Sequence, residues 1–120
     1  MARVMIVDNV AFERISMKDI ISKAGHEIVA EALTGSEAIK MYPVCQPDYV
    51  IMDIAMPDDD GVAILKEMLQ KYPEAKICIC TALAQQAIVI EVIQAGAVDF
   101  IVKPYRAERV KQSIRRALEQ

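Results

Sequence analysis

No apolar run in this 120-residue chain reaches the length of about 18 needed to span a bilayer, and no charged segment leads into an apolar one near its start. Neither a membrane span nor a signal peptide is expected, and a cytoplasmic location follows. Basic residues are not in excess: 14 Lys and Arg stand against 17 Asp and Glu, a net charge of −3, which disfavours a general binder of nucleic acid. The single histidine, His26, follows Gly25 in a predicted turn and reads as a solvated residue, not a ligand or base. Three cysteines, Cys45, Cys78 and Cys80, form no metal or redox pattern, and the strand-like run Cys78-Ile79-Cys80 is expected to send its two thiols to opposite faces of a sheet. With 54% hydrophobic and 26% charged residues, the composition is globular, and the length suits one domain over residues 1–120.

What is present is a series of short apolar runs, each stopping at a polar group. Arg3-Val4-Met5-Ile6-Val7 ends at Asp8-Asn9, Tyr49-Val50-Ile51-Met52 at Asp53, Lys76-Ile77-Cys78-Ile79-Cys80 at Thr81-Ala82, and Val98-Asp99-Phe100-Ile101-Val102 at Lys103-Pro104. Runs of this length without alternation are those of strands buried on both faces. A fifth run, residues 27–32, carries charge and suits an edge.

Helical patterns separate the runs. Met17, Ile20, Ile21 and Ala24 recur at helical spacing before Gly25, and Thr34-Gly35-Ser36-Glu37 has the capping-box spacing that opens a second helix, which Pro43 should limit to about two turns. The acids Asp58, Asp59 and Asp60 precede a third helix as capping groups, with Leu65, Met68, Leu69 and Tyr72 as its buried stripe and Pro73 as its stop. The fourth helix, from Gln86 to Ala95, holds Ile88, Val89, Ile90, Val92 and Ile93 over a wider arc than one face can bury, so part of it should stay exposed. In the fifth, Ala107, Val110, Ile114 and Leu118 mark the buried face, and Arg106, Arg109, Lys111, Arg115 and Arg116 a solvated basic face that complements the helix dipole. The alternation predicts an α/β fold with a parallel sheet and helices on both sides.

In a parallel sheet the carboxyl ends of the strands share one edge, where ligands of such folds collect. Asp8, Asn9, Asp53, Thr81 and Lys103 should therefore meet. Clustered carboxylates need a cation, and hard oxygen donors without His or Cys point to Mg²⁺. An ammonium and a hydroxyl beside such an ion suit a phosphoryl group, and a carboxylate can be the nucleophile.

These residues resemble, over the whole chain, the receiver domains of two-component response regulators, and in particular single-domain chemotaxis regulators of the CheY type. The matching set is the polar pair after the first strand, Asp53 with Pro57 and Gly61 at their offsets, Thr81-Ala82 and Lys103-Pro104. The resemblance implies a flavodoxin-like, doubly wound five-stranded sheet of order 2-1-3-4-5 flanked by five helices. It implies Asp53 as phosphoacceptor from a sensor histidine kinase or phosphotransfer domain, and Mg²⁺ held by Asp8, Asn9, Asp53 and the backbone carbonyl of Ala55. Lys103, Thr81 and the Ala82 backbone would contact the phosphoryl group, with a cis bond between Lys103 and Pro104. Thr81 and Phe100 would switch the face made by the fourth helix, fifth strand and fifth helix, to which a downstream protein binds. In chemotaxis relatives that protein is the flagellar motor switch.

Three departures carry expectations. Asn9 stands where the family has an acid, which should lower Mg²⁺ affinity about ten- to a hundredfold and relieve repulsion in the metal-free state. Ala55 and Leu83 are apolar where some relatives position the attacking water, so a long-lived phosphoryl group is expected. Phe100 replaces the common Tyr without abolishing a rotamer switch. Alternative readings are a degenerate receiver that binds partners without phosphorylation, or the receiver part of a longer transcriptional regulator. An aspartyl-phosphate phosphatase is disfavoured because the position two after Asp53, where such enzymes place a general acid, is Ala55. A flavin site is disfavoured because Asp8 stands where a flavin phosphate would need hydroxyls and N–H groups.

Overall fold

The computed structural model describes residues 1–57 and 59–119. Strands and helices alternate strictly: β1 (Arg3–Val7), α1 (Ala11–Lys23), β2 (Glu27–Ala32), α2 (Gly35–Cys45), β3 (Tyr49–Met52), α3 (Gly61–Lys71), β4 (Ile77–Thr81), α4 (Gln86–Ala95), β5 (Asp99–Val102) and α5 (Ala107–Leu118). All neighbouring strands pair in parallel, in the order β2-β1-β3-β4-β5, so the charged run does lie at an edge. Strand order reverses between β1 and β3, which opens a crevice at their carboxyl ends.

Two apolar layers cover the sheet. On one side Met5, Val7, Val50, Met52, Ile77 and Ile79 pack with Leu65 and Met68 of α3 and Val92 of α4. On the other, Val4, Ile6, Tyr49 and Ile51 pack with Met17 and Ile21 of α1 and Val110 and Ile114 of α5. Cys78 and Cys80 both lie in this second layer, which corrects the expectation of opposite faces. A strand repeats every two residues, so positions i and i+2 share a side and stand about 6.6 Å apart along it. Both thiols are free, and burial pushes each pKa up to about 12, so they behave as inert apolar groups.

The second helix is longer than Pro43 suggested, running to Cys45 with the proline inside it. Proline removes the N–H that would bond the carbonyl four residues back, on Ile39. The Tyr72 hydroxyl, from the residue capping α3, donates to that Ile39 carbonyl at 2.9 Å, and the Tyr72 ring stacks on Tyr42 at 4.5 Å between centroids. The helix continues because a distant side chain supplies the missing donor. Its start matches expectation: Thr34 accepts from the Glu37 N–H, while the Glu37 carboxylate reaches back to the Leu33 N–H.

Three further expectations are corrected. In α5 the buried residues are Val110, Ser113, Ile114 and Ala117, while Ala107 and Leu118 are exposed. At about 100° per residue these two lie some 60–80° round from Val110, on the flank of the buried arc. His26 is half-buried, and its Nδ1 accepts the Ala2 N–H at 2.9 Å, pinning the start of β1. Burial and the nearby chain N-terminus lower its pKa. Of the three consecutive acids, Asp60 caps α3 through the Ala63 N–H and Asp59 instead accepts from Gly35 at the start of α2, whereas Asp58 lies outside the described residues. Among the described residues no helix is long and apolar enough to cross a membrane.

Candidate functional site

Asp8 and Asp53 occupy matching positions just beyond β1 and β3. Each backbone N–H still extends the sheet, Asp8 to the Ala32 carbonyl and Asp53 to Val7, so neither residue can drift from the edge. Each side chain then uses one oxygen on its own loop: Asp8 Oδ1 accepts from the Val10 N–H at 2.9 Å and Asp53 Oδ1 from the Ala55 N–H at 2.8 Å. The other oxygens converge on one ammonium. Lys103 Nζ donates to Asp8 Oδ2 at 2.7 Å and to Asp53 Oδ2 at 2.8 Å.

All three side chains are largely withdrawn from water, with side-chain exposures of 8% for Asp8, 9% for Asp53 and 12% for Lys103. Burial disfavours the charge on Lys103, but hydrogen bonds to Asp53 and Asp8 and the fields of both carboxylates outweigh it and hold its pKa above the ordinary lysine value. The lysine is fixed by its backbone as well: its N–H donates to the Thr81 carbonyl at 2.9 Å, and its bond to Pro104 is cis.

The remaining expected residues stand around this cluster without joining it directly. Thr81 is fully buried at the end of β4, and its hydroxyl accepts from the Leu83 N–H at 3.2 Å. Asn9 is half-buried beside Asp8, and among the described residues its side chain makes no hydrogen bond. Ala82 and Ala55, in the loops after β4 and β3, are exposed. Phe100 is half-buried against the α3 and α4 layer, and its carbonyl accepts from Arg109 Nη2 at 3.1 Å.

Close approach of the loop after β3 depends on Gly61. A Cβ there would stand 2.3 Å from the Ile54 Cα and carbonyl oxygen, so only glycine lets the start of α3 close against the residue following Asp53.

Three contributors were not expected from sequence. Glu13 Oε2 lies 3.7 Å from Lys103 Nζ, and Arg14 donates to the Asp8 carbonyl at 2.8 Å, so the first turn of α1 borders the site. The available signal was their place in the first helical turn after a strand-end acid. Arg109 grips Asp99 through both nitrogens at 2.9 and 2.7 Å. Burial works against the Asp99 charge, but its bonds from Arg109, Ser113 and the Phe100 N–H keep its pKa below the usual carboxylate value.

The donor chemistry fits Mg²⁺. Among the described residues no three Asp, Glu, His or Cys side chains group closely enough to share an ion. This metal needs only one or two carboxylates and retains several waters. Asp8 and Asp53 meet that requirement, each also bonded to Lys103 and to its own loop, and Asn9 and Ala55 follow them in the chain by one and two residues.

Comparison with known proteins agrees with this geometry. The model of the response regulator receiver domain matches residues 4–115. The chain is 51% identical over 112 residues to the chemotaxis protein CheY of Thermotoga maritima, covering 93% of each chain, and 50% identical over 116 residues to that of Bacillus subtilis, covering 97% of each. Among solved structures, a chain of the CheX-CheY-BeF3-Mg²⁺ complex from Borrelia burgdorferi superposes with a TM-score of 0.92 at 30% identity, covering 97% of this chain and 88% of that one. The response regulator domain of Thermotoga maritima CheB gives 0.88 at 34% identity, with 98% and 96% covered. A strand-end aspartate bridged by lysine to a second buried acid, on a sheet of this order and at this level of identity, places the chain in the response regulator receiver family of two-component signal transduction, close to the chemotaxis regulators.

Proposed function

We propose that Asp53 is the phosphoacceptor and that the chain is a phosphorylation-switched chemotaxis signalling protein. The observation that carries this is the Lys103 ammonium, held 2.8 Å from Asp53 Oδ2 at the open end of the sheet. An Asp53 oxygen attacks phosphorus in a phosphohistidine of a sensor kinase or phosphotransfer domain; the new O–P bond forms as the P–N bond breaks, and the histidine leaves with the electron pair. Lys103 would stabilise charge on the transferring oxygens, and the Thr81 hydroxyl, which here accepts from the Leu83 N–H, and the backbone N–H of the exposed Ala82 would donate to them. Mg²⁺, held by Asp8, Asn9, Asp53 and the Ala55 carbonyl, would neutralise further phosphoryl charge. The protein would catalyse only its own phosphorylation and dephosphorylation, the latter slowly, since Ala55 and Leu83 offer no polar group to orient water.

Output would pass through α4, β5 and α5. Ile90, Ile93 and Val102 are each nearly half exposed there, and a groove of about 550 Å³ lies between β5 and α5, with Phe100 and Val102 beside Arg106 and Arg115. An apolar floor with walls that are basic apart from Glu108 and Gln112 suits an acidic, amphipathic segment of a partner protein such as the motor switch. Nucleic acid is a poor fit, since Arg109 is already committed to Asp99.

Intact-mass spectrometry after incubation with a small phosphodonor and Mg²⁺ tests the assignment. One phosphoryl adduct is expected on the native chain and none on Asp53→Asn; an adduct that persists in Asp53→Asn refutes it. Asn9 favours a second reading, a degenerate receiver binding partners without phosphorylation, and adduct formation only in Asn9→Asp would select that reading.

A further inference from the structure

We infer that Glu13 supplies the divalent-cation site with the negative charge that position 9 lacks; this rests on the reading of the Asp53 edge as a Mg²⁺ site. Arg14, on the Asp8 carbonyl, is balanced by Glu31 at 3.4 Å; with Lys103 charged, a divalent ion then brings the remaining positive charge to three, while Asp8 and Asp53 provide two carboxylates and Asn9 none. One further acid balances the site. Glu13 is that acid, with Oε2 3.7 Å from the same Lys103 nitrogen that Asp8 and Asp53 hold at 2.7 and 2.8 Å.

Its position is not accidental to a flexible chain. The Val10 N–H bonds Asp8 Oδ1, the Arg14 N–H bonds the Val10 carbonyl, and the Arg14 guanidinium bonds the Asp8 carbonyl, so the turn bearing Glu13 is tied to Asp8 at both ends. Three acids do not close to ligand distance of one point, so Glu13 acts on the ion through its field and intervening water. With 36% of its side chain exposed, that field is partly screened. An effect of about tenfold on affinity follows, well below that of a directly coordinating carboxylate.

Mg²⁺ titration followed by the amide shifts of Val10 and Ala55, which report on the two aspartates, reads this without any phosphorylation. Glu13→Gln should raise the Kd about tenfold at low salt, and by less at high salt. Asn9→Asp should tighten binding, and adding Glu13→Gln to Asn9→Asp should cost less than about threefold, since position 9 then carries the charge. A Kd for Glu13→Gln within threefold of the native chain, or tighter, overturns the inference, as does an equal loss in both backgrounds. If Asp8→Asn and Asp53→Asn also leave the Kd unchanged, it is the underlying metal-site reading that fails.

Discussion

Replacing Lys103 with methionine keeps an unbranched side chain of similar length and removes the charge, leaving Asp8 and Asp53 at 6% and 8% exposure with nothing between them. Their Oδ2 atoms touch one nitrogen at 2.7 and 2.8 Å, so they lie within about 5.5 Å of each other. At an effective dielectric of about 20, two unit charges at that distance repel by about 3 kcal/mol, at the lower end of the range for losing one partner of a buried ion pair. Urea unfolding of Lys103→Met in the absence of divalent ions should therefore show a loss of about 3 kcal/mol, a midpoint lower by about 1.5–2 M. Added Mg²⁺ should recover more stability in the variant than in the native chain, because it replaces the missing positive charge. The lysine pKa is raised in the folded state, so its contribution is fully present below the ordinary value of 10.5 and lost as pH rises beyond it; the two proteins should converge at strongly alkaline pH. A loss under 1 kcal/mol, or no differential response to Mg²⁺, would refute the convergence of these three groups.

Three other perturbations follow from the fold. Tyr72→Phe should cost about 1 kcal/mol by stranding the Ile39 carbonyl, and much less in a Pro43→Ala background, where an N–H returns to that carbonyl; equal costs in a thermal-unfolding cycle would contradict the account of α2. Gly61→Ala should cost about 3 kcal/mol, since the new Cβ meets Ile54 backbone at 2.3 Å, whereas Gly25→Ala, at φ 89° with open space around it, should cost only about 1–2 kcal/mol; denaturant midpoints that rank the other way would count against it. The His26 pKa is lowered in the folded state, so stability should be fully present above 6.5 and decline as pH falls below it, and His26→Gln should remove that part of the slope in a series of unfolding curves.

The edge where the candidate site lies was legible because four of the five strands are mainly apolar runs that stop at a polar residue, and parallel pairing leaves those stops no choice of side. Asp8, Asp53 and Lys103 could thus be brought together from residues as much as 95 positions apart. Partnerships made by long side chains were not legible. Nothing around Pro43 announces that Tyr72 replaces its missing donor, and Glu13 is signalled only by its place in the first helical turn after Asp8, because both contacts depend on how helices pack on the sheet. The burial of α5 failed for a different reason: Ala107 and Leu118 sit at the margin of a helical stripe, where apolar character does not decide exposure. The two thiols of β4 were misplaced by counting, since the two-residue repeat itself puts them side by side.

Val92 is the one wholly buried side chain of α4, against four in α5, although α4 has the more apolar sequence. A helix with one buried side chain, held otherwise by the half-buried Ile88 and Ala95 and by the exposed Lys66–Glu91 pair, can fray at a lower free energy than global unfolding requires. Hydrogen exchange should accordingly find its amides among the first helical ones to trade protons. The greasy residues it shows to solvent are a standing expense that a docked neighbour would cancel, so association itself would stiffen a lightly buried helix.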